Sequence, residues 1–119
     1  MAKAETNIFK RCQMALSEQG ARLFRNSRGM FLTLDGQRKT RAGLEAPGAS
    51  DGIGWTPVEI TPAMVGRRIA VFTAIETKTK SGPVSDEQRN FIEQVLKAGG
   101  FAGVARDADE AIKIVCRLL

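Results

Sequence analysis

Apolar residues return at a helical interval near the start of the chain. Ile8, Phe9, Cys12, Ala15 and Leu16 fall on one face, and Lys10, Arg11, Gln13 and Glu18 fall off it. This pattern predicts a helix from Ala4 to Gln19, stopped by Gly20. The period then shortens. Leu23 and Phe24 lie between arginines in Ala21–Asn26, and after the turn Ser27-Arg28-Gly29 the run Met30–Leu34 is strand-like up to Asp35-Gly36. Two short strands, or one interrupted strand, are expected there.

Residues 36–50 break the pattern. They hold Arg38, Lys39, Arg41, three glycines and Pro47 without apolar periodicity, which predicts a mobile loop, basic in its first half and rich in Gly, Ala and Pro in its second. Extended chain is expected over Trp55–Ile60. Thr61-Pro62 then has the form of a helix N-cap followed by proline, giving a single turn through Val65 before Gly66.

Ile69–Ile75 is the most hydrophobic stretch and is rich in β-branched residues, the composition of a strand buried on both faces at the centre of a sheet. Ser85-Asp86-Glu87-Gln88 has the spacing of a capping box. It opens a helix with Phe91, Ile92, Val95 and Leu96 on one face and Gly99-Gly100 at its end. Phe101–Ala105 reads as a short strand, and Asp107 with Glu110 caps a last helix through Ile112, Val115 and Leu118. Strand, helix, strand, helix implies a right-handed crossover and at least one parallel strand pair.

At 119 residues, one domain over 1–119 is expected, large enough for its own core. A hydrophobic fraction of 43% with 26% charged residues excludes disorder of the whole chain. The absence of histidine excludes an imidazole base and every His-ligated zinc or haem iron. Cys12 and Cys116 lie near opposite ends, without a CxxC neighbour and among apolar residues, so buried free thiols are expected. Met1 to Gln19 lacks the apolar core of a signal peptide, and no run approaches the roughly 18 apolar residues of a membrane span, so an intracellular, non-secreted protein without membrane contact is expected. Lys and Arg total 18 against 13 acids, a formal charge of +5, which makes a polyanion the first partner to consider.

Chemistry must then come from carboxylates, lysines, hydroxyls or thiols. Where the hydrophobic strand ends, the chain reads Ile75-Glu76-Thr77-Lys78. Strand alternation sets Glu76 and Lys78 on one face, roughly 7 Å apart along the chain. A carboxylate there can hold a divalent metal while the ammonium stabilises an attacking water or the charge of a phosphorane. The same tripeptide also makes an ordinary ion pair at a strand end. Ser50-Asp51-Gly52-Ile53-Gly54 sets an acid among small residues at the start of a strand, where backbone can approach a ligand closely, although Asp-Gly is also a common turn. Glu5, in the first helix, favours the positive end of the helix dipole.

Together, the acid in the first helix, Arg25-Asn26-Ser27-Arg28-Gly29, Ser50-Asp51-Gly52, Ile60-Thr61-Pro62, Ala74-Ile75-Glu76-Thr77-Lys78 and a following helix bearing Gln88 resemble the PD-(D/E)xK nuclease superfamily. More narrowly, they resemble its virus-type replication-repair nuclease (VRR-NUC) domain in the small stand-alone phage form. Ser50 stands where the superfamily has the proline of "PD", a variation the VRR-NUC branch accepts.

The resemblance implies an α/β restriction-endonuclease-like core: a mixed sheet with flanking helices, in the order helix, three strands, helix, strand, helix. It implies a Mg²⁺- or Mn²⁺-dependent deoxyribonuclease in which Asp51, Glu76 and the backbone carbonyl of Thr77 bind the metal. Lys78 orients or activates the water, Glu5 binds metal-bound water or a second ion, and Gln88 helps to position Lys78 or the nucleophile. Gln88 also stands at the third helical position after Ser85, where its amide would reach back to the cap.

The substrate implied is DNA, with branched, flap or junction structures preferred, in replication, recombination or repair. A helicase or other replication protein is a further partner, and a bacterial host's cytoplasm is the setting if the protein is phage-encoded. A homodimer is expected because one small subunit offers few phosphate contacts. Arg25, Asn26, Arg28, Arg38, Lys39, Arg41 and Lys80 are the DNA-contact candidates, or else parts of a solvated basic surface. The competing reading is a non-catalytic basic nucleic-acid-binding module, in which Glu76 and Lys78 form a structural ion pair. A small protein-interaction domain is a third, and it predicts no salt-dependent DNA affinity.

Overall fold

Helix α1 spans Lys3–Glu18 in the computed structural model, which describes residues 3–27, 29–44 and 46–116. Gly20, at φ +83, turns the chain out of the helix as its position predicts. Contacts gather in two compact units, Met1–Thr56 and Pro57–Leu119.

In the first unit, β1 (Arg22–Arg25) pairs antiparallel with β4 (Gly52–Trp55), Arg22 opposite Trp55 and Arg25 opposite Gly52. Helix α1 is tied to β1 by Gln13 Nε2, which donates to the Leu23 carbonyl at 2.9 Å. Phe9 is buried where a Cβ on Gly52 would come within 2.7 Å of its ring and 2.9 Å of Leu23 Cδ1. Gly52 is therefore a packing residue: the space beside its backbone belongs to two apolar side chains and not to a ligand. The Arg25 guanidinium lies 4.2 Å from the centroid of the Phe9 ring, a cation–π contact.

Two expectations fail in this unit. Of the predicted apolar face of α1, Ile8 and Leu16 are exposed and Cys12 is an exposed free thiol, because the helix packs through Phe9 and Gln13. Cys116, in the second unit, is free and half-buried. Within residues 36–50, expected to be loop throughout, β3 (Lys39–Ala42) pairs antiparallel with β2 (Gly29–Leu32). A ribbon exposed on both faces has no buried side to imprint an apolar period on the sequence.

The hairpin tip is built: Thr33 N–H donates to the Arg38 carbonyl at 2.8 Å, and the Asp35 carboxylate accepts from the Thr33 hydroxyl and the Gln37 N–H. The Thr33 bond, seconded by Gln37, holds the Asp35 carboxyl below its ordinary range. These bonds are thus intact above the ordinary carboxylate range and loosen only as the pH falls through the lowered value.

In the second unit, Pro62–Met64 forms a 3-10 turn with Thr61 at its N-cap, and Thr61 makes no side-chain capping bond. Strand β5 (Thr73–Thr77) pairs in parallel with β6 (Phe101–Ala105), Thr73 opposite Phe101 and Thr77 opposite Ala105. The hydrophobic run was expected to be a central strand from Ile69. The ladder instead starts where Phe101 N–H donates to the Phe72 carbonyl, at 2.9 Å, and Ile69 is exposed. Among the described residues β5 has one strand neighbour, so it is an edge of a two-stranded ladder and not the centre of a sheet. Likewise β4 ends at Trp55, so the stretch Trp55–Ile60, expected to be extended chain, is paired at its first residue alone among the described residues, with Val58 and Ile60 exposed. Strand partners, more than residue preference, set these limits.

Helices follow the sequence more closely. Helix α2 (Asp86–Lys97) begins with the predicted capping box, and α3 (Ala108–Val115) with Asp107, whose carboxylate accepts from Glu110 N–H at 2.8 Å. Leu118 lies outside the described residues. The core of this unit is Val95, Ala102, Ala105 and Ile114. The whole is an α/β arrangement of three helices with two antiparallel pairs and one parallel pair of strands among the described residues.

Candidate active site

Lys78 continues the β5–β6 ladder by one bond, its N–H donating to the Ala105 carbonyl at 3.1 Å. This keeps Glu76 and Lys78 on one face, and their side chains converge to 3.6 Å between Nζ and Oε1. Lys78 and Glu76 are 21% and 34% exposed. The pair is part-buried, so each group lies within reach of solvent while the other offsets its charge.

The parallel crossover brings the start of α2 beside this strand end. Gln88 uses both ends of its amide there. Its Oε1 accepts from Ser85 N–H at 2.9 Å while its Nε2 donates to Glu76 Oε1 at 2.9 Å. Gln88 N–H donates in turn to Ser85 Oγ at 3.1 Å, completing the cap. The capping role and the site role thus coexist, and the side chain that Gln88 holds is Glu76. Gln88→Ala is expected to cost about 1 kcal/mol of stability through the lost cap. Gln88→Glu keeps the cap acceptor but turns a carboxylate oxygen toward Glu76 Oε1, so like-charge repulsion should hold its stability near that of Gln88→Ala at neutral pH; urea unfolding of both variants at neutral and acidic pH separates the two functions.

Glu76 and Gln88 line a cleft of about 320 Å³ with Ala74, Ile75, Glu87, Phe91 and Ile92. Glu87 is a second acid on this cleft that the sequence alone does not single out. In sequence it is a helix-start carboxylate, and only the docking of α2 against β5 brings it to the cleft.

Arg106 is also legible only in the structure. Its Nη1 donates to the carbonyls of Thr79 and Gly82, the latter at 2.9 Å, and so clasps the turn that follows Lys78. Lys80 is exposed on that turn.

The remaining site candidates belong to the first unit. Asp51 is exposed immediately before β4, and its carbonyl accepts from Asn26 N–H at 2.7 Å. Asn26 Nδ2 donates to the Ser50 carbonyl at 3.1 Å, and Asn26 Oδ1 accepts from Leu44 N–H at 2.7 Å. Asn26, expected among the DNA contacts, thus uses both ends of its amide to shape the loop that carries Asp51. Glu5 is exposed in the first turn of α1. Arg25 stacks on Phe9, and Arg38, Lys39 and Arg41 are exposed on the β2–β3 hairpin. Arg28 lies outside the described residues.

Oxygen donors at the end of β5 suit a hard divalent cation. Glu76 Oε1 is shared by Lys78 and Gln88, and Oε2 has no hydrogen bond among the described residues. No group of three or more Asp, Glu, Cys or His side chains is gathered for metal binding among the described residues.

The family model described as the VRR-NUC domain matches residues 7–109 of the chain. No curated protein and no solved structure gives a match.

Proposed function

This chain belongs to the VRR-NUC domain family, a nuclease family, and on that premise we propose that it hydrolyses DNA phosphodiester bonds with a divalent ion, Mg²⁺ or Mn²⁺, in the manner of PD-(D/E)xK enzymes. The observation that carries this reading is the joint engagement of Glu76 by Lys78 at 3.6 Å and by Gln88 at 2.9 Å on the cleft at the end of β5. Glu76 and the carbonyl of Thr77 would hold the ion, with Asp51 as a further ligand and Glu5 bonding through water or to a second ion. When bound, the ion supplies charge neutralisation at the phosphoryl oxygens.

The chain's own groups do the rest. Lys78 would direct its ammonium to the attacking water and the developing phosphorane charge. Gln88, whose Nε2 donates to Glu76 Oε1, would fix the orientation of that carboxylate. The substrate class is branched, flap or junction DNA met in replication, recombination or repair, with a replication protein such as a helicase as a further partner. Arg25, Arg28, Arg38, Lys39, Arg41 and Lys80 are the proposed backbone contacts, with Asn26 acting through the loop it shapes. A homodimer doubles the few phosphate contacts of one subunit and sets two sites on opposite strands.

Incubation with labelled single-stranded, duplex, flap and four-way DNA tests the proposal. Cleavage is expected with Mg²⁺ or Mn²⁺ and none with EDTA. Binding without cleavage under every metal condition favours the alternative, a non-catalytic module in which Glu76 and Lys78 are a structural pair.

A further inference from the structure

The β2–β3 hairpin lies in the first unit. Its register sets Met30 opposite Arg41 and Leu32 opposite Lys39, so these four side chains share one face. Every residue of both strands is exposed. Between them, Leu34 is 109% exposed at the tip. That tip is held by the Thr33–Arg38 backbone bond and by the two bonds to Asp35, which turn the only acid of residues 29–42 into the turn. Arg38, Lys39 and Arg41 against Asp35 leave this segment at 3 − 1 = +2.

We propose that this hairpin is a DNA-binding arm: Arg38, Lys39 and Arg41 follow the phosphates, and Leu34 packs against bases where duplex stacking is broken, as at a branch point. The inference rests on DNA being the substrate. A two-stranded ribbon is narrow enough to enter a DNA groove. An apolar wedge must separate stacked bases to insert, and the cost is least where the stack is already interrupted. The charge of the ribbon separates a polyanion from the other candidate occupant, a second copy of the chain. A two-fold pairing of this face on itself brings two copies of Lys39 and Arg41 into one interface with no acid on that face to offset them, and the like charges oppose such a pairing.

Binding measured in EDTA, with cleavage assayed separately in Mg²⁺, tests the arm independently of catalysis. Leu34→Ser removes no buried contact, and far-UV circular dichroism should match the wild type. It is expected to weaken four-way and flap DNA binding about tenfold more than linear duplex binding, the scale of one leucine side chain no longer buried. Lys39→Ala and Arg41→Ala should weaken every DNA alike, each lowering the salt slope by about 1.

A branched-to-linear ratio that Leu34→Ser leaves unchanged overturns the arm. So does an unchanged salt slope in the Lys39→Ala/Arg41→Ala double variant. If Leu34→Ser converts a dimer to a monomer and each protomer keeps its DNA affinity, the face belongs to a second copy and the proposal is again overturned. Lack of cleavage alongside the expected binding changes refutes the nuclease reading and leaves the arm standing.

Discussion

Lys78→Ala is expected to lower the single-turnover cleavage rate about 10²- to 10³-fold, the usual cost of removing one preorganised charge from a transition state. Glu76→Ala should lower it at least as far, because it removes the carboxylate that Lys78 and Gln88 both engage. Neither loss should come from unfolding. The Lys78–Glu76 pair is part-buried, so removing either partner should cost about 1–3 kcal/mol, and both variants should still unfold cooperatively in urea at a lowered midpoint. Glu76→Gln sharpens the test, since its amide oxygen still accepts from Gln88 while the negative charge is gone. Its activity should fall as in Glu76→Ala. Full cleavage by a folded Glu76→Ala protein would remove this strand end from the chemistry.

Gly54→Ala should be the most destabilising single change in the first unit. A Cβ at Gly54 would overlap the main-chain carbonyl of Arg22 and also sit 3.1 Å from Leu23 Cα. Backbone, unlike the end of a flexible side chain, cannot swing aside. The β1–β4 ladder must open, for a cost of about 3 kcal/mol or more, a large part of the 5–15 kcal/mol typical of a whole domain. A fall in melting temperature of roughly 10 °C or more is expected. Gly66→Ala is the control. Its Cβ meets nothing within 4 Å, and only its φ of +85 resists the substitution, so its loss should be about 1–2 kcal/mol. A Gly54→Ala protein that melts like the wild type would refute the β1–β4 register.

The glycines around Asp51 mark where the residues read in isolation mislead. Gly52 and Gly54 look like room for a ligand beside an acid. In the fold, that room is taken by Phe9 and Leu23 at one glycine and by the Arg22 backbone at the other. The loop geometry that carries Asp51 comes from Asn26, two of whose bonds run to residues 24 and 18 positions away. No local pattern encodes such a bond.

Local physics was sufficient for the helices. A helix satisfies its own hydrogen bonds and is bounded by side chains within one turn, so Gly20, the Ser85–Gln88 box and the Asp107 cap were all legible as residues. The shared face of Glu76 and Lys78 was equally legible, because strand alternation needs no partner. Strand limits were not. A strand completes its hydrogen bonds only with another segment, and so the start of β5 at Thr73 depends on β6, and β3 exists only opposite β2. The same dependence governs the site. From the sequence, an acid and a lysine share a strand face and a glutamine caps a helix. Only the packing of α2 beside β5 turns that cap toward Glu76 and brings Glu87 to the cleft, while the end of β6 sends Arg106 to hold the turn after Lys78.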